Sequence, residues 1–221
     1  MDLVDQIEGR RFVGREFLLW LWFETEIFEA TLETKEHGPF GLWVGSRIGL
    51  SDRKESTVIK GATPGAHREA KEALLRGKMP DTMGFTLSRE DGDARFVLKG
   101  ETLGLVGLVL PTVLGDGADE DATTLAKPTP KKKRRESDRA REEEAEADEA
   151  AEAFYERMQL AKTIEDILEA LFRDFTALRL SDAWSRGVMP KLEAWVAGED
   201  VDVDGYRAVR AAHAATKKKS K

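Results

Sequence analysis

Phe17 to Phe23 form an unbroken run of seven large apolar side chains, bounded by Arg15 and Glu16 before it and by Glu24 and Glu26 after it. A stretch with no polar face must be covered on every side, yet it falls far short of the roughly 20 apolar residues that cross a bilayer. The pattern therefore predicts a buried helix over 15–26, entered through Gly14, around which a domain packs. From Ile27 the period changes to two. Ile27, Phe28, Ala30 and Leu32 alternate with polar positions, His37-Gly38-Pro39 marks a turn, and Phe40, Leu42 and Val44 resume, which predicts a hairpin.

Strands are predicted next at 47–51 and 56–60, the second ending at Gly61. A helix over 66–76 follows, rich in helix formers and closed by Gly77. Residues 82–88 and 94–99, joined by Asp91-Gly92-Asp93, predict a second hairpin, and 103–110 a last strand ending at Pro111. Sequential strands joined by short turns, with one helix before and one inserted, make residues 1–111 an α+β domain built on an antiparallel sheet with packed helices.

Residues 112–150 hold little that can be buried. A Gly, Asp, Thr and Pro stretch leads to five consecutive cations and then an Arg/Glu/Ala tract, so this segment reads as a charged linker, disordered over 116–130 and helical after Glu136. Beyond it Phe154, Met158, Ala161, Ile164, Leu168, Leu171, Phe175 and Leu178 recur at steps of three and four, which predicts a long amphipathic helix. Ser181 or Asp182 is expected to cap a second helix carrying Trp184, Leu192, Trp195 and Val196 and closed by Gly198. A third runs over 204–215. Residues 151–215 are thus expected to form a helical C-terminal domain, with 216–221 a basic tail.

Net charge is −7, with 15 Lys+Arg against 18 Asp+Glu in residues 1–111 and 8 against 12 in 112–150. A globally acidic chain is repelled by polynucleotides and anionic membranes unless a local basic patch reverses the sign. The absence of Cys excludes disulfides, thiolate nucleophiles and Cys-ligated zinc, and suits a reducing cytoplasm. The N-terminus has no basic segment followed by an apolar one, which argues against secretion.

Catalytic motifs are missing, so no enzymatic activity, catalytic residue, cofactor or metal site is expected. His37, His67 and His213 are scattered. Asp200, Asp202, Asp204 and Gly205 resemble the start of a calcium loop, but Ala211 stands where the closing acid belongs, and capping of the last helix by Asp202 or Asp204 accounts for them better. Two basic sets are candidates for phosphate contact. One is Lys131, Lys132, Lys133, Arg134 and Arg135, which the acids after Glu136 would partly neutralise. The other is Arg10, Arg11 and Arg15, which salt bridges to Glu8, Glu16 or Asp5 explain equally well. The tryptophans and phenylalanines lie mostly on apolar stripes and read as packing.

The order of three segments, Gly14 to Trp22, Glu69 to Lys78 leading into Phe85-Thr86-Leu87, and Phe154 to Leu180, resembles the C-terminal half of the recombination-associated protein RdgC family. That resemblance implies a bacterial, nucleoid-associated accessory protein of the cytoplasm that binds double-stranded DNA without sequence preference as a ring-like dimer and acts beside recombination proteins. It further implies that Lys60 and Lys78 face the DNA. Two departures stand out: the family's N-terminal half has no counterpart here, and the insert at 112–150 is foreign to its pattern. The alternative is a protein-interaction or scaffolding module that works through the C-terminal amphipathic helix, with no DNA contact.

Overall fold

The computed structural model describes residues 3–52, 54–61, 64–111 and 136–219; the side chains of 3–12, 46, 64–66, 136–150 and 216–219 lie outside that description. Six strands form one antiparallel sheet: β1 (Thr31–Thr34), β2 (Gly38–Ser51), β3 (Ser56–Lys60), β4 (Met79–Arg89), β5 (Gly92–Lys99) and β6 (Leu105–Val109). β2 is its spine. One edge of β2 pairs first with β1 and then with β3, the other edge pairs with β4, and β5 and β6 follow outward. The separate strand expected at 47–51 is the second half of β2, carried past an irregularity between Val44 and Ile48.

Period-two burial puts Phe40, Leu42, Val44, Ile48, Met83, Phe85, Leu87, Ala94, Phe96 and Leu98 on a single face of this sheet. Helix α1 (Leu3–Ile27) lies on that face, and α2 (Pro64–Leu75) packs beside it through Ala70 and Ala73. On its far side α1 meets the C-terminal helices: Phe17 against Phe172 and Phe175 of α3 (Glu136–Arg179), Trp22 and Phe23 against Trp195 of α4 (Met189–Ala197), and Phe23 against Tyr206 of α5 (Val203–Lys219). α1 is therefore the middle of three layers, which explains a helix with no polar face. All of Phe17 to Phe23 are at most 9% exposed.

α1 begins well before the predicted entry, and Gly14 sits inside it. Here α1 crosses the β5–β6 turn so closely that a Cβ at Gly14 would land on the carbonyl oxygen of Gly100. Ile27 and Phe28 belong to the end of α1 and the turn after it rather than to a strand, because the chain reverses through Glu29 and Ala30 at positive φ. Gly77 and Gly198, both left-handed, close α2 and α4 as predicted.

The tract after Glu136 and the apolar stripe are one continuous helix, α3. The stripe divides along it. Ile164, Leu168, Leu171, Phe175 and Leu178 are buried, whereas Phe154, Tyr155 and Met158 are 60%, 64% and 53% exposed. The buried half joins the same hydrophobic cluster as α1 and the sheet, so the C-terminal helices share a core with residues 1–111 rather than enclosing one of their own. Ser181 closes α3 through its hydroxyl on the Leu178 carbonyl at 2.7 Å, and the turn carrying Trp184 is π-helical over Trp184–Val188, without a side-chain cap. The expected cap at Ser181 or Asp182 is thus replaced by a helix end.

Candidate nucleic-acid interface

Two carboxylates at the end of α1 are the most strongly perturbed carboxylates among the described residues. Glu24 is 1% exposed. It accepts hydrogen bonds from the Tyr206 hydroxyl and the Arg210 guanidinium, while the Trp20 indole donates to the Tyr206 oxygen at 3.1 Å. Burial pushes Glu24 up to about 7 against the pull of Arg210. Burial likewise raises the Tyr206 hydroxyl, with Glu24 adding to the effect. Glu26 faces the other way. Burial alone would raise it, but His67, Lys71 and Trp195 outweigh burial and hold it at about 2. Trp22 and Trp195 each donate an indole N–H to it at 2.7 Å, Lys71 approaches at 2.7 Å, and His67 Nδ1 stands at 3.3 Å. Every oxygen of the pair is thus occupied by a partner side chain. These acids join layers.

Asp202 caps α5 through the Gly205 N–H at 2.9 Å and binds Lys191 at 3.2 Å, as the capping account requires. Among the described residues no cluster of three His, Asp or Glu could hold a metal ion. No helix among them is long and apolar enough to cross a membrane.

The predicted basic residues whose side chains are described, Arg15, Lys60 and Lys78, do not gather in one place. Arg15 points from α1 to the covered face of the sheet and pairs with Asp81 at 2.5 Å. Lys78, whose side chain is 13% exposed, is taken up by Thr57 at 2.7 Å and Glu55 at 3.3 Å. Arg10 and Arg11 lie on α1 with side chains outside the described residues, and Lys131 to Arg135 lie outside them entirely. Among the three described side chains of the predicted set, Lys60 alone is exposed without a described ion pair.

Lys60 stands on the opposite face of the sheet, which no helix among the described residues covers, and there it has company. Alternation places Trp43, Arg47, Val58, Lys60, Arg95, Lys99, Val106 and Val109 on this side, with all but Val58, Val106 and Val109 interrupted by small floor residues. None of the four cations forms a salt bridge with a described residue. The floor between them is made mainly of Gly41, Gly45, Gly49, Thr82, Gly84, Thr86 and Ser88, with Val97 between Arg95 and Lys99. Register sets them in rows: Trp43 beside Thr86, then Arg95, then Val109; Lys60 beside Arg47, which lies over Gly84; and Gly49 beside Thr82, then Lys99. Adjacent strands lie about 4.8 Å apart and alternate residues about 7 Å apart along a strand, so the cations share a single shallow surface. The strand acids on this face, Asp93 and Glu33, stand at the end nearer the hairpin turns, away from Lys60 and Lys99.

Of the four, the family resemblance names Lys60 alone, although the signal that places the others on this face is present in the sequence. Phe40, Leu42 and Val44 alternate inward, so Trp43 between them has to point outward, and Phe96 and Leu98 do the same for Arg95 and Lys99. No family model matches the chain, and no curated protein or solved structure gives a significant match.

Proposed function

We propose that the protein is a non-enzymatic accessory factor that binds DNA through its phosphate backbone without base reading, using the bare sheet face. The observation that carries this reading is the convergence of Arg47, Lys60, Arg95 and Lys99 on a flat surface, none of them in a described ion pair and with Asp93 and Glu33 confined to its hairpin end, in a chain whose net charge is −7. On such an acidic body, unpaired cations gathered on one face create the local field that global repulsion would otherwise prevent. The surface is too flat to project an element into a groove, which suits contact with backbone more than with base edges. A role beside recombination proteins in the nucleoid, as the RdgC resemblance implies, belongs to this same proposal and rests on that resemblance alone.

Anisotropy titrations of labelled DNA, duplex and single-stranded, between about 50 and 200 mM salt test it. Binding should weaken steeply with salt, and replacing all four cations by Gln should abolish it while leaving the far-UV spectrum unchanged. Absence of binding to either form at the lowest salt eliminates the reading.

A second reading keeps its own observation. Phe154, Tyr155 and Met158 are exposed on a stretch of α3 that no described residue covers, so a protein partner has an apolar site there. This short segment is all that the fold leaves of the amphipathic stripe for dimerisation, since Ile164 to Leu178 is consumed internally. Light scattering of the full chain and of a Phe154→Glu variant decides whether self-association uses it.

A further inference from the structure

Resting on the DNA-binding reading, we infer that the strand class this face takes is single-stranded, with an unstacked base lying on Trp43. Four of the five tryptophans are fully enclosed: Trp20 and Trp22 at 0% exposure, Trp184 at 4% and Trp195 at 5%. Trp43 stands at 38% on the bare face. Its ring leans back along β2 over Gly41, where a Cβ would come within 2.9 Å of Trp43 Cζ3. Glycine at 41 therefore lets the indole lie down against the strand, leaving its other side toward solvent. Trp43 makes no described ring contact, cation contact or side-chain hydrogen bond, so nothing in the described fold uses that aromatic surface.

The neighbours of Trp43 complete a site for an opened strand. Arg95 lies two strands away in the same row, across the small side chain of Thr86. Arg47 and Lys60 lie in the next row and Lys99 in the one after. A base on the indole places its phosphates over these flanking cations, and the glycine and threonine floor admits the sugar and base edges at close range. A duplex keeps its bases stacked inside and offers Trp43 nothing to stack on, whereas single strands are bound by combining stacking platforms with cationic grooves. The exposed Val58, Val106 and Val109 fit the same account as apolar flanks that exclude water.

The test uses the full chain, an oligothymidylate of about 15 nucleotides, and a duplex of equal length. The single strand should bind at least about 10-fold tighter and quench tryptophan fluorescence, because the responsive indole is the exposed one. Trp43→Leu should melt like the parent, lose the quench and bind the oligothymidylate about 10-fold more weakly, with duplex affinity unchanged; Trp43→Phe should retain most of the affinity. Equal or tighter duplex binding, or wild-type oligothymidylate affinity in Trp43→Leu, overturns the strand assignment and leaves the charge-based reading standing. Binding of neither polynucleotide removes that reading too. A stable dimer in sedimentation whose dissociation exposes Trp43 assigns the face to a second copy of the chain and overturns the inference.

Discussion

Glu24 and Glu26 stand two positions apart at the end of α1 and are driven in opposite directions by their surroundings. Glu24, enclosed with Tyr206 and Arg210 of α5, is raised to about 7, whereas Glu26, fed by Trp195 of α4, Lys71 and His67, is lowered to about 2. The spacing itself produces the divergence. Residues two apart on a helix point about 200° apart around its axis, so each acid meets a different helix.

The pH dependence of stability follows from the two signs. Glu26 has a folded value below its unfolded one, so its contribution is present above about pH 4.5 and is lost as pH falls toward 2, worth roughly 3 kcal/mol at about 1.4 kcal/mol per unit. Glu24 has a folded value above its unfolded one. Its contribution is full below about pH 4.5 and disappears as pH rises through 7. Denaturant midpoints measured across pH should therefore peak between these limbs. Glu26→Gln should remove the acid limb and Glu24→Gln the limb between 4.5 and 7; a Glu24→Gln curve that parallels the parent between those values refutes the assignment.

Gly14→Ala is expected to cost about 3 kcal/mol, at the upper end of overpacking penalties, because the group it would strike is backbone rather than a movable side chain. The Gly100 N–H is tied to the Asp81 carbonyl at 2.7 Å, so the turn cannot simply retreat. Urea unfolding of the variant reads this directly. A change under about 0.5 kcal/mol, typical of a neutral surface site, would mean that α1 and the turn are not in register.

This is also where sequence patterning reaches its limit. The strands, α2 and the stripe on α3 are legible because period two and period 3.6 report burial on one face of one element. Gly14 reads as a flexible entry to a helix, since the reason for a glycine there is a turn at Gly100, far along the chain. The same holds for the C-terminal helices. Their stripe is readable, but what covers it is α1, and amphipathicity names a buried face without naming its partner. Arg15 and Lys78 are visible as cations, while Asp81, Glu55 and Thr57 beside them depend on strand register. Trp43, Arg95 and Lys99 follow from alternation alone, but their significance as a group does not, because only the pairing of β2, β4 and β5 brings them onto one surface.

A shared core has a consequence for truncation. Phe175 is 0% exposed against Phe17, Trp20 and Trp184, so Phe175→Ala should cost about 3–5 kcal/mol. Phe154→Ala, on the uncovered part of the same helix, should stay within about 0.5 kcal/mol. By the same logic a fragment ending at residue 111 loses the outer cover of Phe17, Trp22 and Phe23, and should bind a hydrophobic dye and melt without cooperativity. A sharp melting transition for that fragment would show that the sheet and α1 form a domain without the later helices.

The final prediction separates two kinds of basic residue. Lys78 and Arg15 are neutralised by Glu55 and Asp81 and sit at the edge of, or beneath, the covered face, so removing their charge should lower stability without changing DNA affinity. Lys60 and Arg95 have no described ion pair and lie on the bare face, so Gln at either should leave stability unchanged and weaken binding. For a single strand, each phosphate that the protein ceases to neutralise lowers the slope of log affinity against log salt by about 0.7, so the double variant Lys60→Gln/Arg95→Gln should give a slope shallower by about 1.4. Lys78→Gln should keep the parent slope. If instead Lys78→Gln flattens the salt response and the Lys60/Arg95 pair does not, the contact surface lies at the β3–β4 edge and the bare face has another use.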